Sequence, residues 1–336
     1  MSRVATLAVV LVAACASASD PEPTGSAVAS IGGSSCNPRV CGGLNPQMLD
    51  CVYFSRLSSI GQANDHDVAI VSVRRADNTP MRLVAELDRL RGVHPTTGVV
   101  LAEHKDLVGT VIQLVQAGAP AQIVIDQVHA AGAHFWVGAK SAIETYDLSY
   151  TVPGSGAPPK TLLGALVFAG DTYDPITKQV TIGPATKGWI NIVCPDGVLA
   201  RMHQIGHTTA AGQRLAITTT LAKRQSVLNA MTMNACGNGV SFHAPGEPLT
   251  LSESQLLQLP SSPLQEPPVT VEAIWGPEGA VCLGVPRNAN TAAAVAAMVN
   301  AIAAECGAPL PSCSSMLLNW TSHGSALTGN PAGSSP

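Results

Sequence analysis

Apolar side chains recur with a period of two, or in short runs rich in valine and isoleucine, along much of the chain. Both patterns are typical of β-strands. The clearest alternation covers 145–152, where Tyr146, Leu148 and Tyr150 share one face, opposite Asp147. This strand is therefore predicted to bury one face and expose the other. Further strands are predicted at 68–73, 107–115, 123–128, 162–168, 179–182 and 189–194, whereas 81–90 fits either a strand or a short helix.

The period changes twice to that of a helix. Apolar residues over 213–233 lie close to one helical face, and the Cys-Gly-Asn-Gly sequence at 236–239 ends that helix. A second, Ala-rich helix carries a stripe formed by Val295, Val299 and Ile302. Between the two helices, alternation over 269–275 and a turn at 276–279 predict a β-hairpin.

Runs of strands interrupted by two amphipathic helices predict an α+β fold that is mostly antiparallel β, sandwich or barrel-like, and stapled by disulfides. We predict one globular domain over 60–318, preceded by a Cys-rich segment at 36–59. The end of the chain, 319–336, is predicted to be a disordered tail.

The start of the chain has the features of an export signal. A short positive start precedes an apolar stretch, 4–14, that is too short to span a membrane. It ends in Val-Ala-Ala-Cys, which matches the lipobox of bacterial lipoproteins, with lipidation expected on Cys15. The alternative is an ordinary signal peptide with an incidental cysteine.

We therefore predict a signal peptide over 1–14, and a lipidated cysteine with a flexible, small-residue linker over 15–35. The expected partner of the anchor is a membrane. Ala16 is not the aspartate that retains enteric lipoproteins at the inner membrane, so the expected location is the outer membrane or the extracellular surface.

Composition limits the function classes. Hydrophobic residues make up 46% of the 336 residues, charged residues only 12%, and the net charge is −4. Without a basic cluster, a nucleic-acid partner is not expected. No G-x-S-x-G sequence and no phosphate-binding glycine loop occurs, so neither a serine hydrolase of that type nor a nucleotide cofactor is predicted.

Apart from Cys15, the cysteines are expected to form disulfides, because the compartment is oxidising and no C-x-x-C zinc pair occurs. A bridge between Cys306 and Cys313 is favoured because these residues flank the compact sequence Ala-Pro-Leu-Pro. If all eight pair, at least one bridge must join the N-terminal segment to the later domain. The candidates are Cys36, Cys41, Cys51, Cys194, Cys236, Cys282, Cys306 and Cys313.

His203 and His207 form the sharpest candidate site. Histidines four apart on a helix can bind zinc, but the metalloprotease pattern needs glutamate where this chain has Gln204. The surrounding sequence favours a strand, on which the two would lie about 13 Å apart. We therefore expect ordinary strand or loop histidines and no metal.

Other candidate groups have simpler interpretations. Asp65, His66 and Asp67 could join Asp126 or His129 in a site, but a solvated loop is expected. The tryptophans are expected in the core, although an exposed one could stack on a sugar. They are Trp136, Trp189 and Trp275.

Several segments resemble the ADYC domain family, which occurs largely in myxobacterial-type secreted lipoproteins. They are GWINIVCPDGVLARMHQIGH (188–207), KRQSVLNAMTMNACGNGVSFHAPGEPL (223–249), VEAIWGPEGAVCLGVPR (271–287) and CGAPLPSC (306–313). The family's Ala-Asp-Tyr-Cys is here Met-Asn-Ala-Cys at 233–236, so its acidic and aromatic residues are absent. The resemblance covers about 105–315 and implies a secreted, often lipid-anchored domain whose family supplies no known reaction.

Taken together, these features favour a non-catalytic envelope domain that binds a protein or glycan ligand. The alternative is an extracytoplasmic hydrolase, metal-assisted through His203 and His207. A purely structural envelope component is a third hypothesis.

Overall fold

The computed structural model describes residues 48–49, 52–64, 66–136, 141–151, 156, 158–173, 179–182, 188–195, 197–236, 250–253, 270–286, 291–317, 322, 324 and 326–330. The signal peptide, Cys15, the linker, Cys36, Cys41, Cys51 and Asp65 lie outside the described residues. In the described part of the chain, no helix is long and apolar enough to cross a bilayer.

The described residues form eighteen strands and four α-helices. The strands are β1 (Met48–Leu49), β2 (Val52–Tyr53), β3 (Leu57–Ser58), β4 (Val68–Arg74), β5 (Pro80–Glu86), β6 (Arg89–Val93), β7 (Val100–Glu103), β8 (Val111–Gln116), β9 (Ala119–His134), β10 (Ala142–Tyr150), β11 (Lys160–Ala169), β12 (Asp171–Tyr173), β13 (Val180–Ile182), β14 (Trp189–Val193), β15 (Thr250–Glu253), β16 (Thr270–Gly276), β17 (Gly279–Leu283) and β18 (Ala326–Asn330). The helices are α1 (Val198–Gln204), α2 (Thr209–Leu215), α3 (Leu221–Thr232) and α4 (Ala292–Cys306).

Ten strands make one antiparallel sheet in the order β3-β14-β11-β10-β9-β8-β4-β5-β6-β7. The sheet curls, so that β11 and β14 lie against β5 and β6. Tyr146 and Tyr150 point into the curl, as the alternation of β10 predicted, and both are buried. Burying a large apolar side chain stabilises the fold by about 1.5–3 kcal/mol, so this inner core holds the curl together.

A second core lies on the other side of β11. Ala165 and Val167 face the inner core, whereas Leu166 and Phe168 pack against the helices. This double burial explains why β11 reads as a continuous apolar run rather than an alternation. Helix α2 lies on β11, and α3 lies on the four-stranded sheet β15-β18-β16-β17. The predicted α+β, mostly antiparallel fold is confirmed, with α1, α2 and α3 as the layer between the two sheets.

The helices differ from the prediction. The helix predicted over 213–233 is broken into α2 and α3 by a segment, 216–220, that begins with Ala216 at φ +54°. Thr220 then caps α3, because its side chain accepts a hydrogen bond from the Lys223 amide.

The strand or loop predicted around His203 is also wrong. Residues 198–204 form α1, which is buried from Val198 to His203. A helix buried on all sides shows no amphipathic period, which explains the wrong prediction.

Most predicted strands are present. β4 confirms 68–73, β16 and β17 confirm the hairpin, and the ambiguous 81–90 is the β5–β6 hairpin. The prediction over 107–115 was wrong at its start. There His104–Leu107 form a 3₁₀ helix, and β8 begins only at Val111.

Two disulfides staple the second half of the chain. Cys236, after α3, is bonded to Cys306 at the end of α4, and Cys282 in β17 is bonded to Cys313. The predicted Cys306–Cys313 bridge is therefore wrong. A parallel bridge between Leu283 and Ser312 brings the chain after α4 beside β17, which places Cys313 next to Cys282 instead. Cys194 is buried at the end of β14.

The domain boundaries extend further than predicted at both ends. β3 pairs with β14, so residues just before 60 belong to the ten-stranded sheet. The predicted disordered tail is wrong over β18, which lies between β15 and β16 with Ala326, Leu327 and Thr328 buried. The signal in the sequence is weak because this strand has only five residues, two of them small.

Candidate functional site

The two histidines singled out from the sequence lie in the helical layer, where each has a threonine hydroxyl beside its Nδ1. His203 is in the last turn of α1 and is 0% exposed, and its Nδ1 lies 2.6 Å from Thr208 Oγ1. His207 follows α1 and is also buried, and its Nδ1 lies 3.4 Å from Thr219 Oγ1. Within the described residues, no group of three or more His, Cys, Asp or Glu side chains is placed to hold a metal ion.

His203 belongs to a buried group that we call the Asp88 cluster: Asp88, His203, Thr208 and Arg214. Asp88 lies in the β5–β6 turn, with Oδ2 3.4 Å from His203 Nε2 and 2.5 Å from Arg214 Nη1. Arg214 also donates to the Ala142 carbonyl at 2.9 Å. The cluster thereby ties a turn of the ten-stranded sheet to α1 and α2.

Aromatic rings seal the cluster. The Phe168 ring is stacked on the His203 imidazole at 5.0 Å between centroids, with 4° between the planes. The Phe135 ring is tilted against the same imidazole at 5.3 Å, and the Arg214 guanidinium lies 5.4 Å from the Phe135 centroid. Two aromatic rings therefore pack against the imidazole, which is 0% exposed.

Burial and charge set the protonation of this cluster. Burial lowers the pKa of His203, against the opposing effect of its hydrogen bond to Asp88. Burial alone would raise the pKa of Asp88, but the hydrogen bonds from His203 and Arg214 outweigh it and lower that pKa. The favoured state is a neutral His203 between an ionised Asp88 and a donating Thr208 hydroxyl. With the His203 proton on Nε2, facing Asp88, Nδ1 accepts from the Thr208 hydroxyl, whose oxygen also accepts from the Ala211 amide as the cap of α2.

A second polar group lies at the start of α2, and we call it the Asp171 cluster: Asp171, Thr209 and Arg224. Asp171 accepts hydrogen bonds from the Thr209 amide at 2.8 Å and from the Thr209 hydroxyl at 2.6 Å. Arg224 Nη1 donates to Thr209 Oγ1 at 2.8 Å and lies 3.6 Å from Asp171 Oδ2. Arg224 is 3% exposed, and its Nε has no hydrogen-bond partner among the described residues.

The Asp171 cluster borders a surface depression of about 290 Å³. One wall is the exposed side of α2, and the other is the segment 216–220. Ile217 donates its amide to the Gly212 carbonyl at 2.8 Å, which holds the two walls together. The lining residues are Thr209, Gly212, Gln213, Ala216, Ile217, Thr218, Thr219 and Arg224.

The other residues proposed from the sequence do not form one site. His66 lies 3.1 Å from an Arg56 nitrogen, whereas His129 lies 2.9 Å from Asp147. Asp126 accepts a hydrogen bond from Ser149 on the exposed sheet face.

The tryptophans occupy different environments. Trp275 is buried, as expected, and Trp189 is half-buried. Trp136 is 39% exposed, so its predicted place in the core was wrong. It follows the end of β9, where its backbone amide donates to the Gln204 carbonyl.

A third buried polar group surrounds Glu144 and, like Asp88 and Asp171, was not singled out from the sequence. Glu144 is buried, and it accepts a hydrogen bond from Tyr146, which in turn accepts from the Leu90 amide at 2.9 Å. His104 Nδ1 lies 2.5 Å from the same carboxylate and covers it from the surface. Burial and the Glu144 carboxylate raise the pKa of Tyr146 far above its ordinary value, so the phenol remains a donor. A glutamate at the start of an apolar strand was the available signal.

Comparison with known proteins identifies one family. The model of the ADYC domain matches residues 104–289, which include His104 and all of both clusters except Asp88. No curated protein and no solved structure gives a significant match to the chain.

Proposed function

The chain belongs to the ADYC domain family, and on that premise we propose that it is a cell-envelope lipoprotein whose domain binds a ligand without transforming it. Two features support the envelope location. The Val-Ala-Ala-Cys sequence ends in a candidate lipidation residue, Cys15. The two disulfides of the domain suit an oxidising compartment outside the cytoplasm.

The main support for a non-catalytic function is the burial of His203. A general acid or base must come within hydrogen-bond reach of the substrate proton. His203 is closed off by two phenylalanine rings, and both of its ring nitrogens already face Thr208 and Asp88. His207 is buried as well. These facts speak against the alternative of a hydrolase that works through this pair.

The binding part of the proposal rests on the depression beside α2. Its walls are joined by main-chain hydrogen bonds and exist before a ligand arrives, so binding costs little ordering of the chain. Hydroxyl, amide and guanidinium groups line it together with aliphatic carbon, a combination that suits a polar organic ligand. A glycan or a protein of the cell envelope is the proposed class of partner.

Metabolic labelling tests the anchor. The full chain, expressed in a bacterium with lipoprotein export, is labelled with palmitate and its membrane fraction is separated. We expect labelling and membrane association for the unchanged chain, and loss of both for Cys15→Ser. Cys36→Ser serves as the matched control and should keep the label. A labelled Cys15→Ser protein would overturn the proposed anchor.

Binding and turnover are separated in one experiment. Residues 36–336, produced in an oxidising periplasm, are titrated calorimetrically with soluble fragments of envelope glycans, and the same mixtures are analysed for new products by mass spectrometry. We expect heat of binding without products. Product formation that disappears in a folded His203→Ala or His207→Ala variant, or stoichiometric zinc released by the same substitutions, would establish the hydrolase instead.

A further inference from the structure

Arg224 lines the depression with more hydrogen-bonding capacity than its surroundings use. A guanidinium has five N–H donors in a planar fork and cannot be deprotonated in a protein. Among the described residues, the Arg224 guanidinium makes one hydrogen bond, to the Thr209 hydroxyl. Its Nε is buried without an acceptor. A buried guanidinium with unused donors is costly, unless an acceptor reaches those that face the depression.

The neighbouring carboxylate does not supply that acceptor. Asp171 lies 3.6 Å from Arg224, beyond ordinary hydrogen-bond distance, although its charge is close enough to attract the cation. Both Asp171 oxygens accept from Thr209 instead. Asp171 therefore holds Thr209 in place and neutralises part of the charge, without accepting a hydrogen bond from the Arg224 guanidinium.

The other lining residues indicate which chemical groups a ligand should carry. The exposed amide of Gln213 offers donors and an acceptor, and the hydroxyls of Thr218 and Thr219 also line the depression, whereas the Thr209 hydroxyl is already engaged by Asp171 and Arg224. Ala216 and Ile217 add aliphatic surface. The volume of about 290 Å³ is enough for a single ring-sized unit rather than a long chain.

We propose that the depression binds the carboxylate of an acidic sugar, with Arg224 as the recognising cation and the threonine and glutamine side chains around the sugar hydroxyls. This rests on the proposed function and names its ligand class. One carboxylate fits better than a phosphate, because Asp171 already carries a negative charge beside Arg224 and a dianion would be repelled. A planar carboxylate also matches the fork of a guanidinium.

The test compares two sugars that differ at one carbon. The domain, residues 36–336, is titrated with glucuronate and with glucose, and binding is followed by NMR. We expect glucuronate to bind with a millimolar dissociation constant that weakens as salt is added, and glucose to bind at least tenfold more weakly. Equal binding of the two sugars, or no binding of glucuronate, would overturn the proposal.

Variants locate the binding. Arg224→Gln should abolish the preference for glucuronate, provided that its circular dichroism spectrum is unchanged. Because Arg224 is buried, this variant can fail to fold, and Thr218→Trp provides a second test. Thr218 is exposed at the rim of the depression. The tryptophan ring should fill the depression and weaken glucuronate binding at least tenfold. Arg74→Gln removes an exposed cation on β4 and should leave binding unchanged. Full glucuronate binding by Thr218→Trp would rule out the depression.

The two proposals can fail separately. If an envelope glycan binds the domain while glucuronate does not, and Thr218→Trp leaves the glycan affinity unchanged, the carboxylate site is wrong and the binding function stands. If glucuronate binds in the depression but the glycan is cleaved, the site is right and the non-catalytic function is wrong.

Discussion

Asp88 Oδ2 and His203 Nε2 lie 3.4 Å apart although 115 residues separate them in the chain. Asp88 belongs to the turn between β5 and β6, and His203 belongs to α1, so this contact joins the curled sheet to the helical layer. Arg214 brings α2 to the same carboxylate oxygen. The Asp88 cluster therefore holds three segments together that are distant in the sequence: the β5–β6 turn, α1 and α2.

Replacing Asp88 by alanine should be strongly destabilising. Removal of one partner from a buried charge pair typically costs about 3–5 kcal/mol, because the other charge loses its compensation. Arg214 retains some exposure to solvent, so we expect about 3 kcal/mol, measured by urea denaturation of the oxidised domain. Asp77→Ala, which changes an exposed aspartate, is the matched control. Equal stability of Asp88→Ala and the unchanged domain would contradict the role given to the cluster.

The stability of the domain should fall as the pH is lowered below about 6.5. Burial lowers the pKa of His203 from its ordinary value of 6.5, so the unfolded chain binds a proton on this residue before the folded chain does. The contribution of His203 to the free energy of unfolding is therefore fully present above the pKa of the unfolded chain and is lost as the pH falls below it. The lowered pKa of Asp88 acts only in a more acidic window, below its ordinary value of 3.8.

His203→Gln should remove much of the slope of unfolding free energy against pH between 6.5 and the acidic window of Asp88. The measurement is a series of urea denaturation curves at different pH values. His94→Gln, at an exposed histidine, is the control and should keep the slope. An unchanged slope in His203→Gln would mean that another group is responsible.

Tyr146→Phe should destabilise the domain by about 1–3 kcal/mol, because the Glu144 carboxylate loses a donor in the core. The ring that packs in the core is retained, so the loss is due to the hydroxyl alone. Tyr150→Phe, at another buried tyrosine of β10, measures the effect of a hydroxyl that does not donate to Glu144. A loss no greater than that of Tyr150→Phe would show that His104 alone compensates the carboxylate.

Secondary structure was predicted best where an element shows a single hydrophobic periodicity along its whole length. The alternation of Tyr146, Leu148 and Tyr150 gave β10 and its buried face correctly, because one side of that strand meets only the inner core. The same reasoning failed for α1, which is buried on every side and has no polar face to reveal its period. The site was harder still, since Asp88 and Arg214 are 126 residues apart and nothing local marks either as a partner of the other.

The disulfide pairs could not be predicted from the sequence for the same reason, because the bonded cysteines are far apart in the chain. Under non-reducing conditions, peptide mapping should find Cys236 joined to Cys306 and Cys282 joined to Cys313. These bridges close loops of 70 and 31 residues, for which the loss of unfolded-chain entropy predicts about 4 kcal/mol each. Replacing either pair by serines should lower the unfolding free energy by about that amount. Recovery of a Cys306–Cys313 peptide from the folded protein would contradict the structure.

Gly212→Ala should displace one wall of the depression. A Cβ atom at Gly212 would lie 2.9 Å from the Ile217 carbonyl oxygen and 3.0 Å from Thr219 Cγ2, so the segment 216–220 must move. Overpacking of this kind costs about 1–3 kcal/mol. It should also weaken glucuronate binding, because the hydroxyls of the moved segment leave their places around the sugar.

The matched control lies in the same wall. Ala216 has φ +54°, a conformation that glycine adopts without strain, so Ala216→Gly should be neutral or stabilising by up to about 1 kcal/mol. It leaves the contacts of Gly212 untouched, and glucuronate binding should remain. If Ala216→Gly and Gly212→Ala weaken binding equally, the effect comes from loosening this segment in general. If only Gly212→Ala does so, the close approach of α2 to Ile217 is what shapes the depression.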